Sequence, residues 1–332
     1  MSPLREPKVK QAAETYGTIS RVSDRAVSPM QQSSRSNLVR GALYGLSAVS
    51  IWAAFIVVSR LGMRGNLTPW DVAAIRFGVA GVLLVPYLMK KGLALDRLGW
   101  IGLTAISVGC GAPMVLLVNA GLLFAPAAHA GALFPGVMPL MVAILAAIIL
   151  REAFTPRKNG GLVLVTLGAI VIVWGSGGSL GTWQNLGHLL FLCAGLVWAG
   201  YTVAMRQARL GGLHAAAIAA VASLVFYVPI YAAVSRGSLM TAPIADVVLQ
   251  AVVQGILTAI VALLFYGRMV AILGATAGAA FVALTPAATA LLAIPALGEW
   301  PSLIDWIAIT AISAGVYLLS GGPLPWARTQ AA

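Results

Sequence analysis

The chain has 332 residues, of which 60% are hydrophobic and only 9% are charged, and its formal net charge is +12. Soluble domains carry roughly 25% charged residues. So apolar a chain is therefore expected to be a membrane protein, with the lipid bilayer as its main partner. Its basic residues lie mostly in short loops and in the N-terminal tail. Membrane topology accounts for that placement, so no nucleic-acid partner is expected.

Residues 1–40 contain seven Lys and Arg and little hydrophobic pattern, which predicts a disordered, basic cytoplasmic tail. No apolar stretch precedes Gly41, so no cleavable signal peptide is expected. Ten apolar runs of about the length needed to cross a bilayer follow. In chain order they are 41–60, 70–89, 99–121, 127–150, 160–176, 187–205, 213–235, 247–267, 274–296 and 303–320.

The distribution of basic residues favours ten spans with both termini in the cytoplasm. In that topology all but four of the 21 Lys and Arg residues lie on the cytoplasmic side, the exceptions being Arg60, Arg64, Arg76 and Arg236. This bias is what the positive-inside rule requires, and nine or eleven spans would scramble it. We therefore predict a multi-pass protein of a bacterial inner membrane.

The fourth and fifth spans recur later in the chain at a constant offset of 147 residues. Residues 128–175 and 275–322 share 13 identities in 48 ungapped positions. A proline and a glutamate keep the same separation in both copies. These four residues are Pro139 and Glu152 in the first copy and Pro286 and Glu299 in the second.

Five spans per copy is an odd number, so the second copy crosses the membrane in the opposite direction to the first. The predicted fold is therefore all-α, a polytopic membrane protein with ten transmembrane helices arranged as two inverted five-helix repeats. The predicted repeats are residues 41–176 and 187–322. Inverted repeats of this kind are typical of secondary transporters, which bind their cargo near the midplane where the halves meet.

The chain resembles the ten-helix members of the drug/metabolite transporter superfamily that are built from two EamA domains. The matching residues are Trp52, Ala53, Arg76, Phe77, Trp198 and Ala199, and the runs from Ala128 to Glu152 and from Ala275 to Glu299. The resemblance covers about residues 41–322. It implies a basket of ten helices, with spans one, three, four, six, eight and nine around a central cavity. It also implies a small metabolite as cargo, often an amino acid, and commonly export.

Two ionisable side chains inside predicted spans are candidate substrate-binding residues. Arg76 lies well inside span two, where a charge is costly and marks a functional candidate. It suits a carboxylate or phosphate clamp, or alternatively reaches the headgroups or ties helix ends together, and the resemblance favours a structural role. His129, near the start of span four, suits a proton relay or a substrate hydrogen bond, or an interfacial contact. His188 and His214 are expected to be solvated at helix ends.

Aromatic and amide side chains form the second group of candidates. Trp52, Trp198 and Tyr201 lie near mid-span on corresponding faces of spans one and six, where they form an aromatic wall for a substrate or pack helices together. Asn119 and Tyr266 occupy corresponding positions in spans three and eight, where they bind, gate or join helices.

Prolines inside spans four and nine predict kinks, since proline removes a backbone donor and clashes one turn back. Pro139 and Pro286 are therefore candidate hinges.

No Asp or Glu lies in the middle of any predicted span. Small multidrug exporters of the same superfamily use such a glutamate, so proton-coupled drug or toxic-compound efflux is the less favoured alternative. Nucleotide-sugar transport is also disfavoured, since Arg76 alone offers itself to a diphosphate. No phosphate-binding loop, metal-ligand cluster or catalytic triad is visible, so no cofactor, no metal and no enzyme activity is expected. A lipid-directed membrane enzyme and a non-transporting scaffold are the remaining alternatives.

The sequence thus predicts a secondary transporter, an exporter or a facilitator, for a small neutral or zwitterionic metabolite such as an amino acid. Ten helices can close a pathway within one chain, so a monomer or a homodimer is expected.

Overall fold

All regular structure in the described part of the chain is helical. The computed structural model describes residues 37–175, 183–235 and 237–321, so most of the predicted tail, Arg236 and the C-terminal residues from 322 lie outside it. In chain order the helices are α1 (Asn37–Arg64), α2 (Pro69–Lys91), α3 (Leu95–Gly109 and Ala112–Phe124), α4 (Ala127–Gly131, Ala132–Gly136 and Met138–Leu150), α5 (Pro156–Gly175), α6 (Trp183–Gln207), α7 (Gly212–Val234), α8 (Ile244–Gln250, Ala251–Val261 and Ala262–Leu273), α9 (Ala275–Val282 and Thr285–Leu297) and α10 (Leu303–Leu319). A single turn at Ser238–Thr241 precedes α8.

Nine helices within these ranges are long and apolar enough to cross a bilayer, and α10 is a shorter apolar helix. The predicted all-α, polytopic membrane fold is therefore confirmed. Helix α1 already includes Asn37, the first described residue, which lies four residues before the predicted first span. At 17 residues, α10 extends over roughly 25 Å, which is near the lower limit for crossing the hydrocarbon core.

The two repeats are related by inversion, as the packing of α5 against α10 shows. A Cβ added at Gly161 would meet Leu319, one at Gly168 would meet Ile312, and one at Gly175 would meet Ile304. The residue numbers rise along α5 while they fall along α10, so these two corresponding helices run antiparallel. Small residues on both helices allow the close approach, as is usual in membranes.

Helices α2 and α7 also pair in antiparallel fashion. Near the start of α2, the Trp70 carbonyl accepts from the hydroxyl of Tyr227, late in α7, at 2.8 Å. Just beyond the end of α2, the Gly92 carbonyl contacts His214, early in α7, at 2.8 Å. Helix α1 ends, and α4 begins, at the end of the bundle that holds Glu299. We call this the Glu299 end, and the opposite end the Glu152 end.

The two glutamates are positioned by the same local structure. The residue that ends α4, Arg151, and the residue that ends α9, Gly298, both adopt left-handed backbone conformations, with φ of 56° and 66°. This reversal turns the chain so that the next backbone N–H bonds back to the helix. The amide of Glu152 donates to Ala146 O at 3.4 Å, and that of Glu299 donates to Ala293 O at 3.4 Å.

Helices α4 and α9 are interrupted at corresponding places. A π-helical turn, Ala132–Gly136, precedes the second part of α4, and two residues separate the two parts of α9. Pro139 and Pro286 occupy the first turn of the helix that follows each interruption, where a proline is tolerated because its missing N–H has no partner there anyway. The interruptions place both prolines beside a break in the regular α-helix, and their role as hinges remains a prediction.

Candidate functional site

Arg76 is a buried cation in the membrane-spanning part of α2. It is 6% exposed, and its Nη1 donates to Gln254 Oε1 of α8 at 3.1 Å. Its guanidinium carbon lies 4.9 Å from the centre of the Phe55 ring and 5.7 Å from that of Phe77. No ion pair in the described chain joins Arg76 to a carboxylate, and its buried Nε has no hydrogen-bond partner there.

A row of buried amides supports this arginine from α8. The amide nitrogen of Gln254 donates to Ser59 Oγ at 2.7 Å and to the Phe55 carbonyl at 3.2 Å. Gln250, one turn earlier, donates to the Val58 carbonyl at 2.7 Å. Residues Ala251–Val261 form a π-helix, and this stretch carries Gln254. π-Helical segments often mark functional sites, and this one aims a polar side chain at α1 and α2.

Tyr201 and Trp198 of α6 approach Arg76 from the other repeat. The Cys110 thiol lies close to both the Tyr201 hydroxyl and the Arg76 guanidinium. Cys110 occupies the break in α3. The rings of Tyr201 and Trp198 are 5.0 Å apart, and Trp198 is 6.1 Å from Phe134 in the π-helical turn of α4.

Trp52 and Tyr266 form a second aromatic pair, with ring centres 5.5 Å apart. Trp52 lies one turn before Phe55 on α1, so this pair is next to the ring that packs under Arg76. The structure thus brings five predicted residues into one mid-membrane region, which we call the arginine–aromatic cluster. It consists of Trp52, Phe55, Arg76, Cys110, Trp198, Tyr201, Gln254 and Tyr266.

Asn119 and His129, the remaining predicted residues, lie away from this cluster. The Asn119 side chain is fully buried and donates to the Pro69 carbonyl at 3.5 Å, while its oxygen has no partner in the described chain. His129 contacts His188 at 3.0 Å and Asp305 at 3.1 Å.

The expectation that His188 and His214 are solvated is wrong. They are 1% and 8% exposed, because His188 packs against His129 and His214 packs against Tyr87.

At the Glu299 end, one carboxylate joins the two repeats. Glu299 is paired with Arg60 Nε at 2.6 Å and with Arg64 Nη2 at 2.5 Å, and its side chain is only 12% exposed. Its second oxygen accepts from the Ala127 amide, at the start of α4, at 2.8 Å. Arg60 also donates to the Leu122 carbonyl of α3. Three helices of the first repeat are thus held to the end of α9.

The corresponding carboxylate at the Glu152 end is more loosely held. Glu152 lies 3.4 Å from Arg206 Nη1 and 3.7 Å from Lys158 Nζ. The Glu152 side chain is 41% exposed and that of Arg206 is 49% exposed. Arg206 corresponds to Arg60, so the repeat preserves the charge pair, and the structure holds it at a shorter distance and with less exposure at the Glu299 end.

Sequence reasoning missed several of these residues. Asp305 carried a visible signal, because Ser302 and Asp305 have the spacing of a helix N-terminal capping box, and both capping bonds are present. Gln250 and Gln254 also stand out as two polar residues one turn apart in an apolar run. No sequence signal indicated that Glu299 would be the partner of Arg60 and Arg64.

Three features together define the class of inverted-repeat membrane transporters. The repeats run antiparallel, interrupted helices of the two repeats face each other at mid-membrane, and matched charge pairs lie at opposite ends. A model of the EamA-like transporter family matches residues 39–174 and 185–321. The chain therefore belongs to this family, as its resemblance to the two-EamA proteins predicted.

Relatives agree with this membership, and a solved structure shares the fold. An uncharacterized transporter of Archaeoglobus fulgidus is 28% identical over 275 residues, covering 81% of this chain and 93% of that protein. The uncharacterized transporter YyaM of Bacillus subtilis is 30% identical over 152 residues, which is 43% of this chain and 48% of that protein. A crystal structure with 20% identity shares the fold, with a TM-score of 0.55 over 84% of this chain and 95% of that one.

Proposed function

We propose that this protein is a secondary transporter for a small zwitterionic metabolite, with amino acids as the first candidates. The observation that carries the proposal is Arg76. A buried guanidinium in a membrane is costly unless a counter-charge accompanies it, and none is present in the described structure. A carboxylate on the cargo supplies that charge and offers an acceptor to the unpartnered Nε.

The surrounding side chains suit the rest of a zwitterion. An ammonium group is attracted to the faces of Trp and Tyr rings, and Trp52 and Tyr266 form such a pair. Trp198 and Tyr201 offer apolar ring surface to a side chain. A cation would meet Arg76 with repulsion, so this arrangement disfavours cationic drugs.

The two ends of the bundle supply a mechanism of alternating access. Closing the Glu299 pair and opening the Glu152 pair exposes the arginine–aromatic cluster to one side of the membrane. The reverse exchange exposes it to the other side. Pro139 and Pro286 serve as hinges beside the interruptions in α4 and α9. With the Glu299 end outside, the cycle operates as an exporter or as a facilitator, according to the gradient of the cargo.

The test combines binding and transport. Thermal unfolding of the purified protein in detergent is followed with amino acids, their methyl esters, organic acids, amines, sugars and nucleosides. A specific ligand at 100 times its Kd adds about 2.7 kcal/mol to the free energy of unfolding. We expect stabilisation by one class of amino acids, no stabilisation by the esters, and uptake of the same amino acids into proteoliposomes.

The matched pair of variants is Arg76→Gln and Arg268→Gln. Arg268 lies exposed on α8, so its replacement should leave binding unchanged, whereas Arg76→Gln should abolish it. Equal stabilisation by acid and ester, or full binding by Arg76→Gln, would show that Arg76 does not hold a carboxylate. The ester comparison uses the unmodified protein, so it stays decisive if Arg76→Gln does not fold.

A further inference from the structure

A buried cluster of four side chains joins three helices at the Glu299 end. His129 of α4 places Nδ1 at 3.0 Å from His188 Nε2 and at 3.2 Å from Gln184 Nε2, both on α6. Its Nε2 lies 3.1 Å from Asp305 Oδ1 of α10. The two imidazoles are 3% and 1% exposed. Because α4 belongs to the first repeat, while α6 and α10 belong to the second, this cluster connects the halves.

The hydrogen bonds fix where protons lie in the cluster. An ionised carboxylate only accepts, so a neutral His129 donates from Nε2 to Asp305, and its Nδ1 accepts from the two neighbouring donors, His188 Nε2 and the Gln184 amide nitrogen. The other oxygen of Asp305 is already occupied by the Ser302 amide and hydroxyl, both at 2.8 Å. This leaves His188 Nδ1 as a lone pair that is buried and has no partner in the described chain. Neither nitrogen of His129 is free for a metal ion.

One further proton therefore has a place in the cluster. It binds to His188 Nδ1, and the proton on His188 Nε2 moves to His129 Nδ1, which leaves an imidazolium beside the Asp305 carboxylate. The net charge of the cluster changes from minus one to zero. Burial favours the neutral total, and the bond between His129 and Asp305 becomes a stronger, charge-assisted one.

The surroundings offer few competing charges. Helices α3 and α9 carry no titratable side chain in Ala112–Phe124 and Ala275–Leu297. From α6 the titratable group that faces His129 is His188, and from α10 it is Asp305. The remaining charges at this end, within the described residues, include Glu299, which accepts from the amide two residues before His129, and the two arginines paired with Glu299. Asp71, at the start of α2, and Asp246, at the start of α8, lie at the same end.

The repeat does not reproduce this cluster at the Glu152 end. The positions that correspond to His129 and Asp305 are Thr276 and Lys158. In the described residues a histidine–carboxylate pair therefore occurs at the Glu299 end and not at the Glu152 end, and the Glu299 end is the one with the shorter charge pair.

We propose that His129, His188 and Asp305 form a proton-binding site that stabilises the state closed at the Glu299 end. The proposal rests on the alternating access described above, but not on the identity of the cargo. When this end opens, the three side chains separate into water, so the open state holds the proton less tightly. By linkage, acidification favours the closed state, and this stabilisation is lost as the pH rises. The site lies within the first turns of α4, α6 and α10, so it exchanges protons with one side of the membrane.

Proton binding is tested directly because the chain has only three histidines. Histidine-labelled protein is titrated by NMR between about pH 8 and 5.5, the range in which imidazoles ordinarily change charge. The His214→Asn variant leaves only the cluster visible and serves as the control. We expect the two remaining imidazoles to take up one shared proton, and either His129→Gln or His188→Asn to abolish the shared transition. Two imidazoles that stay neutral, or titrate independently, would overturn the proposal.

The coupling to closure is tested with spin labels at Leu61→Cys and Trp300→Cys, in a Cys110→Ser, Cys193→Ala background. Both positions are exposed and flank the Glu299 pair on opposite repeats. Acidification should raise several-fold the fraction of molecules in which the two spin labels lie at short distance. This increase is expected in the parent protein and in His214→Asn, but not in His129→Gln. Asp305→Asn is the second variant should His129→Gln not fold. A distance that ignores pH would overturn the proposal. Neither experiment contains cargo, so failure of the amino-acid assignment would leave both results interpretable.

Discussion

The two ends of the bundle carry nearly the same sequence elements and different contacts. Arg60 and Arg206 correspond in the repeat, as do Glu299 and Glu152. At one end the carboxylate is only 12% exposed, with arginine nitrogens at 2.5 and 2.6 Å. At the other it is 41% exposed, with its nearest cation nitrogen at 3.4 Å. A chain with symmetric repeats has therefore adopted asymmetric contacts, as the proposed alternation between two states requires.

Residues without a counterpart in the other repeat reinforce the asymmetry. Arg64, the start of α4 and the histidine cluster all act at the Glu299 end. At the Glu152 end, Glu152 bonds across the repeats through the long contact to Arg206, and Lys158 belongs to its own repeat. The closed end thus has several independent attachments between repeats, and protonation of the histidine cluster adjusts one of them.

The largest loss of stability and transport is expected from Glu299→Gln. Removing one partner of a fully buried ion pair costs about 3–5 kcal/mol. The Glu299, Arg60 and Arg64 side chains are 12%, 18% and 44% exposed, so we expect a loss near the lower end of that range as both arginines lose their counter-charge. Thermal unfolding in detergent and proteoliposome transport measure the loss. Asp96→Asn is the matched control, since the Asp96 side chain is 78% exposed. A Glu299→Gln protein as stable and as active as the control would contradict the assignment of this carboxylate as the closing contact.

An intermediate effect is expected where the repeats match in both sequence and contact. A Cβ at Gly168 would meet the Ala308 carbonyl at 2.9 Å, and one at the corresponding Gly315 would meet the Gly161 carbonyl at 2.8 Å. Gly168→Ala and Gly315→Ala should each lower the free energy of unfolding by about 1–3 kcal/mol, and by similar amounts.

The control for this pair is Gly160→Ala, because a Cβ at Gly160 has no neighbour within 4 Å. In a helix this change should be neutral or stabilising, by roughly 0.5–1 kcal/mol. Thermal unfolding of the three variants measures whether Gly168→Ala and Gly315→Ala lower the free energy of unfolding equally. A large difference between Gly168→Ala and Gly315→Ala would show that the α5–α10 contact is not symmetric.

The smallest effect is expected from Glu152→Gln. Exposed ion pairs contribute about 0–1 kcal/mol, and Glu152 and Arg206 are both more than one-third exposed. The unfolding transition should stay close to that of the parent protein, in contrast to Glu299→Gln. Equal destabilisation by the two variants would mean that both ends are closed in the same molecule.

Much of the fold was predictable because it follows from local patterns. Apolar runs gave the helices, and the 147-residue repeat gave the correspondence of Glu152 with Glu299 and of Pro139 with Pro286. The starts of α5 and α10, at Pro156 and Leu303, keep the same offset. Such features depend on a helix and its immediate neighbours, which the sequence displays directly.

The contacts between repeats were not predictable in the same way. His188 looked like a solvated residue near a helix end, and it is buried because α4 and α6 meet there. The partner of Arg60 lies 239 positions away, and a repeat pattern does not say which of two equivalent pairs is closed. Under the proposed alternating access, that choice is a property of the state, and one sequence encodes both states.

The most direct test of alternating access measures both ends in the same molecule. Spin labels at Leu61 and Trp300 report on the Glu299 end, and labels at the corresponding positions, Ala153 and Gln207, report on the Glu152 end. In Glu299→Gln we expect the first distance to lengthen and the second to shorten, relative to the parent protein. If the second distance stays fixed, or if the two lengthen together, the ends are not exchanged and the alternating-access account is wrong.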